Sequence, residues 1–204
     1  MRALLLSLIA GLFLLPAFAQ KKIELHSVDH KLDSTKHYHK ILIVAEGSMQ
    51  ARMYMDNLSA ELIKELKSQN IECKYEYLGD HHKTNTGIAL EKAKAWPHDA
   101  ILQFFPLATF ERVRSTEYNN GSTQAGTNNM SAAGDIGRSS GSVINNTVLQ
   151  QYLVNDFDIT LAENSETIWS AKLHTVIEFG KITVYKRIRK VILTDMEKQN
   201  VLPH

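Results

Sequence analysis

The side chains most able to do chemistry fall in three short stretches. In the first, Glu46-Gly47-Ser48-Met49-Gln50-Ala51-Arg52, a glycine lets the backbone approach a ligand, a helix amino terminus presents free N–H groups, and Arg52 sits one turn in. Such an arrangement could hold a carboxylate or phosphate, because helix amino termini carry partial positive charge and unpaired donors. It matches neither the Walker pattern nor G-x-G-x-x-G, so Gly47, Ser48 and Arg52, with Asp80, make a loose anion-binding set. The plainer reading is a capped helix with a solvated arginine.

The second stretch is Asp80-His81-His82-Lys83. If it opens on the same sheet edge as Ser48, then Ser48 with His81 or His82 makes a small hydrolase of acyl or phosphoryl esters conceivable. Two features oppose it: Gly-x-Ser-x-Gly is absent around Ser48, and an aspartate adjacent to His81 does not by itself set imidazole geometry. Solvent-exposed loop histidines are the plainer reading. The third stretch carries His26, Asp29, His30, Asp33, His37 and His39. A pair at i, i+4 such as His26 and His30 could share a metal on a helix, but nothing there predicts a helix, and both H-E-x-x-H and a cysteine pair are missing. No specific metal site and no cofactor is expected; His26, His30, His37 and His39 suit weak, adventitious metal binding.

The elements that position these residues follow from periodicity. Ile41-Leu42-Ile43-Val44-Ala45 is a continuous apolar run, as in a strand covered on both faces, and Glu46-Gly47-Ser48 stops it. Ser48 can cap a helix to about Gln69, with Met55, Leu58, Leu62 and Leu66 on one face and Asn70 at its end. Ile71 to Leu78 alternates as a strand with one wetter face, where Cys73 reads as a small buried hydrophobe rather than a reactive thiol. Gly87 to Trp96 is a short helix closed by Pro97, and Asp99 to Pro106 a second apolar strand. This β-α-β-α-β order implies parallel strands joined by crossovers, with ligands binding outside their carboxyl ends.

The pattern then changes. Thr109 to Tyr118 alternates like an antiparallel strand, and Thr147 to Ala162 with Thr167 to Glu178 reads as a hairpin across Glu163-Asn164-Ser165-Glu166. A last amphipathic helix spans about Lys181 to Gln199, with Val184, Tyr185, Ile188, Val191, Ile192 and Met196 as its apolar stripe. Its Lys181, Lys186, Arg187, Arg189 and Lys190 precede any acid, and could face anionic lipid or a partner's acidic surface, or simply be solvated. The expected fold class is therefore α/β, with α+β character at the C-terminal end: a mixed β-sheet from the β-α-β-α-β unit, then antiparallel strands and a C-terminal helix. Between Asn119 and Asn146, residues are mostly Asn, Ser, Gly, Thr and Ala, which cannot offset their ordering entropy by burial; a low-complexity loop is expected there.

Composition narrows the function classes. The chain has 44% apolar and 22% charged residues, with 23 basic against 22 acidic side chains, which suits a globule and disfavours disorder or a strongly basic nucleic-acid binder. Arg2, the apolar Leu4 to Leu15 and the A-x-A-like Ala17-Phe18-Ala19 read as a signal peptide over residues 1–19, cleaved before Gln20. The alternative, a membrane anchor, fits poorly because Gly11 and Pro16 interrupt a stretch shorter than the ~20 residues a span needs. An exported, soluble protein follows, periplasmic or secreted, with a flexible His-rich leader over 20–39 that could add one edge strand, and a single domain over 40–204. One cysteine excludes an internal disulfide. Sequons at Asn57, Asn120, Asn129 and Asn145 matter only in a glycosylating host.

Lys40-Ile-Leu-Ile-Val-Ala-Glu-Gly47, the helix Asn57 to Leu66, Asp99-Ala-Ile-Leu-Gln-Phe104, the hairpin strand with Glu166-Thr-Ile-Trp-Ser170 and the closing helix together resemble the small α/β domains of secreted or lipoprotein-type bacterial envelope proteins. The order is more distantly similar to the amino-terminal domain of the Tol-system propeller protein and to the curli-secretion lipoprotein. The likeness covers about Lys40 to Val201, and departs from the lipoprotein members in lacking a lipid-bearing cysteine. It implies a non-catalytic part of an envelope assembly. Because no constellation in the sequence has the spacing that catalysis demands, the expected function is binding of an envelope protein or surface component through an exposed sheet edge or the 119–146 loop, with oligomeric state left open.

Overall fold

The computed structural model describes residues 22–28, 31–118, 146–178 and 182–203, with backbone alone for 113–118 and 146–150. The signal segment 1–19, His30, Lys181, residues 119–145 of the low-complexity loop and the sequons at Asn120, Asn129 and Asn145 lie outside the described residues.

The described residues form six strands, β1 (Ile23–Ser27), β2 (Lys40–Glu46), β3 (Glu72–Gly79), β4 (Ala100–Tyr118), β5 (Asn146–Glu163) and β6 (Glu166–Glu178), with helices α1 (Met49–Ser68), α2 (Thr86–Lys94) and α3 (Thr183–Lys198). They form one mixed sheet in the order β1-β6-β5-β4-β2-β3. β2 runs parallel to both β3 and β4, while β4, β5, β6 and β1 pair antiparallel in succession. The α/β class and the switch from parallel to antiparallel pairing agree with the sequence.

The two crossover helices, α1 between β2 and β3 and α2 between β3 and β4, cover opposite faces of β2, which explains its unbroken apolar run. Ile41, Ile43 and Ala45 join the large core beneath α1 and α3, and Leu42 and Val44 join a smaller cluster with Leu78 and Ala93 beneath α2. Ser48 caps α1 by accepting from the Ala51 N–H at 3.4 Å. Asn70 ends that helix with φ 62°, Ile71 N–H reaching Leu66 C=O at 2.9 Å and Asn70 N–H reaching Lys67 C=O at 3.1 Å, a Schellman motif. α3 closes the same way on Asn200, with Val201 N–H to Met196 C=O at 2.9 Å. In the main core Tyr54 stacks on Phe157 with centroids 5.1 Å apart and meets Tyr185 edge-on at 5.4 Å, while Thr175 Oγ1 donates to its hydroxyl.

Two expectations need correction. The strands expected at Asp99–Pro106 and Thr109–Tyr118 are one strand, β4, which absorbs Leu107 in a bulge between Pro106 and Ala108. Bulges tolerate both the proline and the break in alternation that made the two halves look separate. The leader supplies the edge strand expected of it: β1 adds to β6, Leu32 and Lys36 N–H groups bond to Gln199 and Asn200 C=O at 3.0 Å, and Lys36 pairs with Glu163 at 2.8 Å. Finally, Val191, placed in the apolar stripe of the last helix, lies outside the core and is 36% exposed.

α2 covers β2, β3 and the start of β4. Among the described residues no helix lies over the same face of β1, β6, β5 and the far part of β4.

Candidate functional site

The carboxyl ends of β2 and β3 bring two of the sequence stretches together. Gly47 N–H donates to Gly79 C=O at 2.9 Å, and the Tyr77 hydroxyl is shared between the carbonyls of Gly47 and Ser48. Arg52 lies 5.3 Å from the Tyr77 ring centroid and 3.8 Å from Asp56, so its guanidinium has partners within the chain. Gly47 adopts φ +133°, and a Cβ there would meet Pro106 Cγ at 2.6 Å and Ala51 Cβ at 2.9 Å. The close approach that Gly47 permits is thus made by β4: where an open α/β sheet has its ligand crevice, β4 continues past the end of β2 and sets Pro106 against the turn. Ser48 keeps its capping role.

Asp80, His81 and His82 sit in the next loop. The His82 N–H donates to Asp80 Oδ1 at 3.0 Å, Lys83 Nζ is 3.6 Å from Oδ2, and the two imidazoles are 3.9 Å apart. The His82 N–H bond, with Lys83 beside it, holds the Asp80 carboxyl below the usual carboxylate range. Among the described residues this is the one group of three metal-ligand side chains whose donor atoms lie within 4.8 Å of one another. Both histidines are exposed. The leader histidines are spread out: His26 lies in strand β1, 3.9 Å from Glu24, His37 is exposed, and His39 uses its backbone N–H to donate to Asp99 at 2.6 Å. Asp99 also accepts from Lys40 N–H at 2.9 Å, and these two bonds lower its pKa. Cys73 is half-buried, its thiol pushed up to about 12 by desolvation.

A larger feature escapes the sequence motifs. On the uncovered face, cross-strand register aligns Phe105, Asp158, Lys172 and His26 in one row, and Ala108, Asp156, His174 and Glu24 in the next. His174 Nδ1 lies 2.5 Å from Asp156 Oδ1. A groove of about 540 Å³ opens there between Phe105, Val28, Thr160 and Ser170. Beside it, the β2-side edge of β4 has no strand partner beyond Phe104 among the described residues, and it carries Phe105, Leu107 and Phe110 at 36%, 56% and 44% exposure. The signal available in the sequence was the Phe104-Phe105-Pro106-Leu107 run, whose apolar excess over what one buried face needs marks a surface.

No family model and no curated protein matches the chain. Among solved structures, it is similar to the PelC dodecamer from Paraburkholderia phytofirmans, with 12% identity over 89% of this chain and 99% of that one and a TM-score of 0.47. It is also similar to a minor lipoprotein from Acinetobacter baumannii, with 8% identity over 80% of this chain and 97% of that one and a TM-score of 0.33. Neither likeness is near enough to carry an argument about activity. No helix among the described residues is long and apolar enough to cross a membrane.

Proposed function

We propose that the chain is an exported, non-enzymatic protein of the bacterial envelope that binds a protein or surface component through the uncovered sheet face and the free edge of β4. The observation that supports this is the meeting of a strand edge that has no partner among the described residues with exposed Phe105, Leu107 and Phe110 beside a groove. Unpaired edges accept an added strand by main-chain hydrogen bonds, and clustered exposed apolar side chains mark contact surfaces. A photo-crosslinking residue placed at Phe110 should yield one discrete adduct in envelope fractions, and the same residue at Lys64, on exposed α1, should not. Equal adduct patterns from both positions would remove the edge from the argument.

A second reading, a small hydrolase or anion-binding protein, draws on the hydrogen bond between Gly47 and Gly79 that sets the Ser48 and His81-His82 loops side by side. Ser48→Ala separates the two. As a lost cap it costs about 1 kcal/mol of stability and leaves binding intact; as a lost nucleophile it abolishes ester hydrolysis.

A further inference from the structure

The cations of α3 divide into two kinds. Arg189 turns inward, where Nη1 meets Glu61 at 3.2 Å and Glu65 at 2.9 Å on α1. Arg187, Lys190 and Lys198 are exposed, and no ion pair described for the structure engages them. These three line a groove of about 420 Å³ between α3 and β1, together with Leu25, Val191 and Thr194. Asp195, the one acid in that lining, is held inward by three donors: Trp169 Nε1 at 3.0 Å, Ser27 Oγ at 3.0 Å and Gln199 Nε2 at 2.9 Å. With its oxygens engaged there, it does not bridge to the cations of the rim. Three cations against one acid leave the groove with an excess of two positive charges.

We infer that this groove takes the phosphate headgroup of an anionic phospholipid at a membrane surface. The chemistry is double. Arginine and lysine heads that have no ion-pair partner among the described residues attract a phosphate, and Arg187 can do so through a planar fork. Val191 and Leu25 offer apolar area beside them, which suits the boundary between headgroup and acyl chain and which a free anion does not need. The inference rests on the reading of the chain as an envelope protein, where a membrane faces it, but it uses a different surface from the β4 edge.

The test compares sedimentation of the full chain, recovered after export, with phosphatidylglycerol-containing vesicles and with pure phosphatidylcholine vesicles. Arg187→Gln, Lys190→Gln and Lys198→Gln combined keep helix-forming side chains at exposed positions. A second triple, Lys74→Gln, Lys92→Gln and Lys94→Gln, makes the same change of charge elsewhere. At about fivefold per cation near an anionic surface, the first triple should lower partitioning about 100-fold, with the control within about fivefold of the parent. Binding of the parent should also weaken as salt is added.

Equal losses in the two triples would reduce the effect to overall charge and overturn the assignment, as would parent binding that is the same on neutral vesicles. Should inorganic phosphate compete at concentrations that leave ionic strength unchanged, the groove would be a free-phosphate site instead. Capture of polyglutamate lost in the first triple, with no vesicle binding, would assign it to an acidic protein. Crosslinking from Phe110 that persists while vesicle binding fails would overturn this inference and leave the reading of the β4 edge standing.

Discussion

Asp195 joins three elements through its carboxylate, Trp169 on β6, Ser27 on β1 and Gln199 at the end of α3, and Gln199 Nε2 also donates to Ser27 Oγ at 2.9 Å. Trp169 is 2% exposed, so in Asp195→Ala its N–H donor loses its acceptor without gaining free access to water, while Gln199 Nε2 loses the carboxylate but keeps Ser27 Oγ. A hydrogen bond to a charged group is worth about 1.5–3 kcal/mol, and an orphaned buried donor costs about 1–3 kcal/mol. Bonds sharing one acceptor do not add in full, and Ser27 is able to rotate toward water, so about 3–4 kcal/mol is expected for Asp195→Ala. Asp195→Asn keeps an acceptor and the shape, and should cost about half as much, ~1.5–2 kcal/mol. Urea unfolding followed by tryptophan fluorescence measures both, provided the slope with denaturant is unchanged. In the same variants, amide exchange in β1 should quicken more than in β2. A loss below about 1 kcal/mol for Asp195→Ala would show that the three bonds are dispensable and refute the assignment of Asp195 as the staple.

Other substitutions test other parts of the fold. Gly47→Ala combines a positive φ with a Cβ 2.6 Å from the Pro106 ring, so a loss of about 2–4 kcal/mol in urea unfolding is expected, against under about 1 kcal/mol for Gly87→Ala in α2. Cys73, with its thiol pushed up to about 12, should react with iodoacetamide at pH 8 far more slowly in the folded protein than in urea; equal rates would contradict its half-buried placement. Asp99 has a folded pKa below its unfolded value, so it stabilises above the unfolded value and the contribution disappears as pH falls through the folded one. Below about pH 4, Asp99→Asn should therefore flatten the decline of stability with acid, and an unchanged acid limb in thermal melts at several pH values would count against the bonds from His39 and Lys40.

The parallel half of the sheet was legible because local signals agreed there. Ile41 to Ala45 reads as buried on both faces and is, and Ser48 and Asn70 bound the helix as cap and left-handed terminator. The Glu163 to Glu166 turn was equally plain, its Asn164 and Ser165 taking φ 47° and 71° as a two-residue hairpin loop requires. Elsewhere the decisive information is non-local. Nothing near Ile23 to Ser27 says that β6 will complete its ladder, and the polar alternation of that segment is also what a solvated leader would show. Pro106 and Leu107 disguise the continuity of β4, since a bulge shifts alternation by one residue. The candidate surfaces were hidden for the same reason. Asp156 meets His174, and Leu25 lines one groove with Val191, by strand register and helix docking rather than by spacing in the sequence.

The joining of β1 to the last helix also dictates an order of events. Ser27 and Asp195 are 168 positions apart, and Leu32 and Lys36 bond to the carbonyls of Gln199 and Asn200. A polypeptide threaded amino end first must keep β1 idle until β6 arrives, and its contacts to Asp195 and the turn after α3 open until those residues follow, so that strand is placed late by connectivity, however fast the middle assembles. The same clasp makes the domain's two extremities a single unit: a protease that trims the final turn loosens the first strand as well.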